Sequence, residues 1–148
     1  MNTHTMNTHT VKGGDIVEKW HFVDATDKPL GRLASDIAKV LRGKHRPEFS
    51  PHLSLGDHVV VVNVEKLYLS GRKREQKKYY RYSGYQSGLK VSSYQDVMDK
   101  DPSRVLLFAV KGMLPHNRLG RRLLKKLKVY AGPEHPHAAQ TPEGFPAF

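Results

Sequence analysis

The stretches WHFVDATDKPLGRLASDIAKVLRG (residues 20–43) and HVVVVNV (residues 58–64) decide the fold of this chain. The first opens with a short apolar segment that predicts a strand over residues 20–23. The second is an unbroken β-branched run, typical of a strand covered on both faces of a parallel sheet. Between them, apolar residues recur at three- and four-residue spacing and predict a helix with one buried face; they are Leu30, Leu33, Ala34, Ile37, Ala38 and Leu41. This strand–helix–strand order predicts a βαβ unit and an α/β fold.

Turn and capping residues place the ends of the first helix. Thr26 or Asp27 is expected to cap it, and Pro29 fits its first turn. The helix should end near Gly43. After the valine run, residues 67–69 predict a short edge strand whose partner is residues 79–80, and turn residues predict irregular structure over 83–88.

The C-terminal half predicts two more helices. Asp101 followed by Pro102 marks the start of the first, which should end before Pro115. Asn117 can cap the second, over residues 118–128. Its leucines fall on one face and its cations on the other; the cations are Arg118, Arg121, Arg122, Lys125, Lys126 and Lys128. A closing strand over residues 129–131 and an extended tail complete the expected elements.

Composition narrows the class of protein. The chain has 148 residues, with 25 Lys and Arg against 14 Asp and Glu, a formal net charge of +11, and no cysteine. One domain with one core is expected, without disulfides, thiolate metal sites or a thiol nucleophile. The apolar runs are far shorter than the roughly 20 residues that span a bilayer, and residues 1–10 lack a signal segment, so we expect a soluble protein. A folded basic domain favours nucleic acid as partner, with an acidic membrane the weaker alternative.

The positive charge lies in two blocks. Residues 66–90 contain eight Lys or Arg and one acid, Glu75, whereas residues 103–132 contain eight and no acid. In the first block, the segment from Arg72 to Tyr82 combines six cations with three tyrosines. Phosphates need the cations, and unpaired bases stack on tyrosine rings, so this composition fits RNA better than duplex DNA. An ordinary solvated charged face is the alternative, but such faces normally mix signs.

Motifs for catalysis and cofactors are weak. The chain has no phosphate-binding glycine loop of either common type. The SGRK sequence at Ser70 matches a nucleophile motif by letters only. His135 and His137 beside Glu134 make a poor metal cluster, and Asp24 and Asp27 suit capping better than acid–base work. We therefore predict no enzyme, no cofactor, no metal and no small-molecule substrate.

Five segments resemble one known family. They are VDATDKPLGRLA (23–34), LRGKH (41–45), YYRYSGY (79–85), VKGMLP (110–115) and LKVYAGPEHPH (127–137), and they are similar to the bacterial large-subunit ribosomal protein L-thirteen family. The resemblance covers about residues 20–140. It implies a three-layer α/β domain with a largely parallel sheet flanked by helices, 23S ribosomal RNA and neighbouring large-subunit proteins as partners, and a structural role in early subunit assembly in the cytoplasmic ribosome.

The family's RNA surface, carried onto matching positions, covers residues 44–45, 72–82 and 111–128. Together with the basic blocks it predicts the following RNA-binding residues: Lys44, His45, Arg72, Lys73, Arg74, Lys77, Lys78, Tyr79, Tyr80, Arg81, Tyr82, Lys111, His116, Asn117, Arg118, Arg121, Arg122, Lys125, Lys126 and Lys128.

The expected domain organisation is a disordered N-terminal extension over residues 1–19, a single RNA-binding α/β domain over 20–132, and an extended C-terminal tail over 133–148. The sequence departs from the family pattern at Gln86-Ser87, where Pro-Gly is usual, and at His116, which replaces a common Lys. Two other functions stay open: a free-standing basic nucleic-acid-binding protein, and an RNA-modifying enzyme.

Overall fold

The computed structural model describes residues 11–12 and 16–146. Residues 1–10 and 13–15, where the N-terminal extension was expected to be disordered, lie outside the described residues. In chain order the elements are β1 (Trp20–Asp24), α1 (Leu30–Arg42), β2 (His58–Val62), a 3₁₀ turn (Val64–Lys66), α2 (Lys73–Gln76), β3 (Lys78–Tyr82), β4 (Leu89–Ser93), α3 (Tyr94–Lys100), α4 (Pro102–Met113), α5 (Arg118–Lys125), β5 (Leu127–Val129), a second 3₁₀ turn (Ala138–Gln140) and β6 (Glu143–Gly144).

The central sheet is parallel and has the strand order β5-β2-β1-β6. The valine strand β2 lies between β1 and β5, and Val59 to Val62 are all buried. Because side chains alternate across a strand, Val59 and Val61 join the main core while Val60 and Val62 face the other side. The predicted α/β class with a largely parallel central sheet is confirmed.

Helix α1 buries the predicted stripe, with Leu33, Ala34, Ile37 and Leu41 at most 5% exposed. It ends where expected, at Gly43, whose φ of 84° favours glycine. The prediction of a Thr26 or Asp27 cap was wrong, because Pro29 occupies the cap position and no side chain caps the helix. Backbone hydrogen bonds to Tyr68 fix this end instead: Leu30 N–H donates to the Tyr68 carbonyl, and Tyr68 N–H donates to that of Lys28.

Helices α4 and α5 pack with α1 over one face of the sheet. Asp101 caps α4 by accepting from the Ser103 backbone N–H, with Pro102 in the first turn, as predicted. The segment that carries His135 and His137 lies over the other face, where the His135 ring is 5.5 Å from Phe22 and the His137 ring 5.1 Å from Trp20. The core therefore lies between the helices and the sheet.

Strands β3 and β4 form a separate antiparallel hairpin. The prediction that residues 79–80 pair with residues 67–69 was wrong, since Tyr79 and Tyr80 pair with Ser92 and Val91. The lapse of regular structure over 83–88 is confirmed as the hairpin's turn, in which Ser87 has a φ of 56°. Helix α3 was not predicted, although Ser93 and Asp96 form a capping box at its start.

The boundary between α5 and β5 also differs from the prediction. The helix ends at Lys125 instead of continuing to residue 128, and the strand begins at Leu127. Pairing with β2 accounts for the shift, because Val59 N–H donates to the Lys126 carbonyl and draws the chain into the sheet. Among the described residues, no helix has the length and apolar character needed to cross a membrane.

Candidate nucleic-acid interface

The hairpin exposes an aromatic and aliphatic face. Tyr80 lies opposite Val91 and Tyr82 opposite Leu89, so all four side chains lie on one face of the two-stranded ribbon. Tyr80 and Tyr82 are 67% and 64% exposed, and Leu89 and Val91 are at least half exposed. We call these four residues the hairpin face; it offers flat rings to a partner.

Tyr79 faces the opposite way. Its ring lies 5.6 Å from that of Phe108 on α4, it is only partly exposed, and burial raises the pKa of its hydroxyl to about 12. Because neighbouring side chains of a strand point to opposite faces, only one of the two adjacent tyrosines can pack against the core, and Tyr79 is the one that does. Tyr79 therefore joins the hairpin to the domain, whereas Tyr80 is free to contact a ligand.

The cations of the first block surround this hairpin. Arg72, Lys73, Arg74, Lys78 and Arg81 are exposed. Lys77 is half-buried, with its Nζ 5.3 Å from the centre of the Tyr79 ring. Helix α2, which carries Lys73 and Arg74, has no buried residue, so its side chains face solvent.

The second block lies on the corner between α4 and α5. Asn117 caps α5 as predicted, accepting a hydrogen bond of 2.8 Å from the Gly120 N–H. Gly120 packs so closely that a Cβ there would lie 1.8 Å from the Pro115 carbonyl oxygen. Lys111, His116, Arg118, Arg121, Arg122 and Lys125 are all exposed around this corner.

The structure brings the two blocks together at Lys111. One cavity of about 690 Å³ lies between the hairpin and α4, and its lining includes Tyr80, Arg81, Arg104 and Lys111. A second cavity of about 510 Å³, at the α4–α5 corner, also includes Lys111. We call the second one the corner cavity. The two stretches of sequence thus form one continuous basic surface.

The described cations on this surface form no short ion pairs, although Asp96 also lines the cavity between the hairpin and α4. Within the described part of the chain, the ion pairs shorter than 4.0 Å involve none of the Lys or Arg residues from Arg72 to Lys125. Like charges held this close repel one another in water. A polyanion that binds across them removes this repulsion, and phosphate groups match their chemistry.

Lys126 lies elsewhere. The expectation that it points to solvent with its neighbours was wrong, since it is 9% exposed. Its Nζ donates to Glu18 Oε1 at 2.8 Å and to the Gly56 carbonyl at 2.7 Å. The early end of α5 rotates this residue inward, and the side chain ties the N-terminal segment to the domain.

Lys128, Lys44 and His45 line neither the corner cavity nor the cavity between the hairpin and α4. Lys128 is half-buried on the edge strand β5. Lys44 is exposed and shares a cavity of about 240 Å³ with Arg42 and Met113. His45 is turned inward, with its Nε2 2.7 Å from Asp57 Oδ2. We therefore leave His45 and Lys126 out of the candidate RNA surface.

Asp57 is the centre of a buried polar cluster that the sequence did not reveal. It is 1% exposed. Its Oδ1 accepts from the Lys19 backbone N–H and from Arg46, while its Oδ2 lies 3.3 Å from His21 Nε2 and next to His45. Burial alone raises the pKa of this carboxyl, but the bonds from His21, Lys19 and Arg46 outweigh it and hold the pKa well below its usual range.

The group formed by His21, His45 and Asp57 has ligand atoms close enough to hold a metal ion. However, the guanidinium of Arg46 already neutralises the single carboxylate. A divalent cation would add positive charge beside that guanidinium without a second acid to offset it. The cluster is better explained as a structural connection between the loop before β2, the N-terminal segment and β1.

The remaining histidine motif is also structural. Tyr130 hydroxyl and His137 Nε2 are 2.9 Å apart, and the His135 and His137 rings stack with centroids 6.4 Å apart. These contacts hold the chain after β5 against the sheet.

Asp24 accepts from the Thr26 backbone N–H, from Asn63 and from the Thr26 hydroxyl, which lowers its pKa to about 2. It stabilises the turn after β1.

Comparison with known proteins identifies the family of this chain. The family described as Ribosomal protein L13 matches residues 18–136. The chain belongs to this family. It is 57% identical over 136 residues to large ribosomal subunit protein uL13 of Natranaerobius thermophilus, covering 92% of this chain and 95% of the relative. The protein of the same name from Oleidesulfovibrio alaskensis is 59% identical over 140 residues, covering 95% and 97%.

Membership of the L13 family identifies the chain as a structural ribosomal protein and not an enzyme. The resemblance read from the five sequence segments is confirmed. The residues that contact RNA stay a prediction, as does the division into extension, domain and tail.

Proposed function

We propose that this chain is a structural constituent of the large ribosomal subunit that binds 23S ribosomal RNA and supports early subunit assembly. The observation that carries the proposal is the continuous basic surface that joins the hairpin to the α4–α5 corner through Lys111. The names of the relatives support the choice of the large subunit. Neighbouring proteins of that subunit complete the proposed set of partners, and the cytoplasmic ribosome is the place of action.

The mechanism is charge neutralisation combined with shape. Lysine and arginine side chains bind backbone phosphates, while the rings of Tyr80 and Tyr82 stack on bases that are not paired in a helix. Residues 20–132 are the proposed RNA-binding domain. Residues 133–146 support it, with His135 and His137 over the other face of the sheet and β6 at the edge of the sheet. This role needs no catalytic residue, because binding stabilises a conformation of the RNA and changes no covalent bond.

Sedimentation of the tagged chain from cell lysate tests the proposal. At moderate salt the chain should sediment with the large subunit, and after pulse labelling it should enter particles smaller than that subunit before later proteins do. Recovery only in the free soluble fraction, or with the nucleoid, would contradict the ribosomal role and favour a free-standing nucleic-acid-binding protein.

Binding to purified 23S RNA tests the mechanism. If about 6–10 phosphates are neutralised, the affinity should fall roughly 10³–10⁵-fold between about 50 and 200 mM salt. Changing the exposed α5 cations Arg118, Arg121 and Lys125 to Gln should reduce the slope of this salt dependence by about one for each phosphate that is no longer neutralised. The matched control changes three exposed cations outside the surface to Gln, namely Lys19, Lys28 and Arg32. Equal reductions in affinity in both triple variants would mean that net charge alone drives binding.

A further inference from the structure

The corner cavity differs in its chemistry from the rest of the basic surface. Its floor is apolar and is made by Leu114, Pro115 and Leu124. Its rim carries Lys111, His116, Arg121 and Lys125, and among the described residues no acidic one lines it. A double helix presents phosphates on a convex surface, and binding them requires no apolar cavity. The apolar floor therefore indicates a ligand that also has an apolar part.

Close packing fixes the shape of the cavity. Gly120 and Pro115 both line it, and their backbones approach so closely that no side chain fits between them. The Asn117 side chain, which also lines the cavity, is held by its hydrogen bond to the Gly120 N–H. Because these groups are positioned before any ligand arrives, binding there does not require the corner to rearrange.

We infer that the corner cavity binds one unpaired RNA nucleotide, with its base against the apolar floor and its flanking phosphates against Lys111, Arg121 and Lys125. The cavity volume of about 510 Å³ suits a ligand of this size. A base has two flat apolar faces and is joined to phosphates on both sides, which matches an apolar floor inside a cationic rim. An apolar side chain of a protein would fit the floor but would leave the rim without anionic partners.

This inference rests on the proposed function, so its test separates the two. Two RNA hairpins of the same stem sequence serve as probes, one fully paired and one with a single adenosine bulged from the stem. Binding of the full chain is measured by fluorescence anisotropy at fixed salt. In a parallel sample, 2-aminopurine replaces the bulged adenosine to report its stacking environment. We expect the chain to bind the bulged hairpin about tenfold more tightly than the paired one.

The matched variants are Arg121→Gln and Arg122→Gln. Both side chains are exposed on α5, but only Arg121 lines the corner cavity. R121Q should lose the preference for the bulged hairpin, whereas R122Q should keep it even if both affinities fall. Leu124→Phe, which fills the floor without changing charge, should remove the preference by lowering the affinity for the bulged hairpin to that for the paired one.

Two results would overturn the inference. One is an equal preference for the bulged hairpin in R121Q and R122Q; the other is no preference in the unchanged chain together with strong, salt-dependent binding to both hairpins. The second result would leave the proposed function standing, whereas failure to bind either hairpin or 23S RNA would contradict the proposed function itself. If L124F unfolds, as circular dichroism would show, the two exposed arginine variants still decide the question.

Discussion

Replacing Asp57 by Asn should destabilise the fold far more than replacing an exposed acid. Asp57 is almost fully buried, and the side chain of its partner Arg46 is only 18% exposed. The change keeps the size of the side chain and an acceptor for the Lys19 N–H, but it leaves the guanidinium without a counter-charge. Breaking a buried ion pair in this way costs about 3–5 kcal/mol, and the partial exposure of Arg46 places the expected loss near the lower end, about 3 kcal/mol.

Urea unfolding at neutral pH measures this loss. Trp20 is the single tryptophan of the chain, and its ring stacks on that of His58 at 4.3 Å between centroids, so its fluorescence should report the opening of this part of the sheet. The control is Asp36→Asn, which removes an exposed pair with Lys39 on the surface of α1. That variant should lose no more than about 0.5 kcal/mol.

The contribution of Asp57 to the free energy of unfolding should depend on pH. The pKa of Asp57 is lower in the folded chain than its ordinary value of 3.8, so the carboxylate stabilises the fold above about pH 4. This contribution is lost as the pH falls further, toward the folded-state pKa. The difference in unfolding free energy between the unchanged chain and D57N should therefore shrink below about pH 4. A difference at neutral pH no larger than that of D36N would refute the view that Asp57 holds these segments together.

Three further outcomes are expected. Gly120→Ala should destabilise the fold by roughly 1–3 kcal/mol, because its Cβ would overlap the Pro115 carbonyl oxygen, and thermal unfolding should show this; an unchanged melting temperature would contradict it. Lys126→Ala should lower the unfolding free energy by about 2 kcal/mol or more while Lys125→Ala changes it little, since only Lys126 is buried and bonded; equal effects in urea unfolding would contradict the inward placement. Tyr80→Ala should weaken 23S RNA binding by about 1–3 kcal/mol without changing the melting temperature, because its exposed ring offers a stacking surface; a loss of folding with no loss of affinity in the folded fraction would contradict its role.

The elements that sequence alone predicted are those whose signals are local. The stripe from Leu30 to Leu41 has one period throughout, and Gly43 stops the helix because few other residues adopt its φ. The valine run predicts a strand buried on both faces, because four β-branched residues in succession suit such a strand. Asp101 and Asn117 cap helices within three residues of themselves, so no distant contact was needed to find them.

The features that the sequence did not predict depend on contacts between residues far apart in the chain. Tyr79 and Tyr80 carry strand propensity, but nothing in their neighbourhood tells which segment they pair with. The inward turn of Lys126 depends on Gly56 and Glu18, which lie far away in sequence. The helical wheel that placed Lys126 in solvent assumes that α5 continues to residue 128. The pairing of β5 with β2 ends α5 at Lys125 instead. The Asp57 cluster gathers residues from three segments, and no spacing pattern connects them.

The order of strands in the central sheet has a consequence for synthesis. β1 and β2 are in place once residue 62 has been made, but both of their free edges are covered by strands from the last part of the chain, β5 on one side and β6 on the other. Until those strands emerge, the nascent pair presents open backbone donors and acceptors on both sides, where another chain can add. A protein cut short before Leu127 would therefore keep most of its helices and still be prone to aggregate through the sheet.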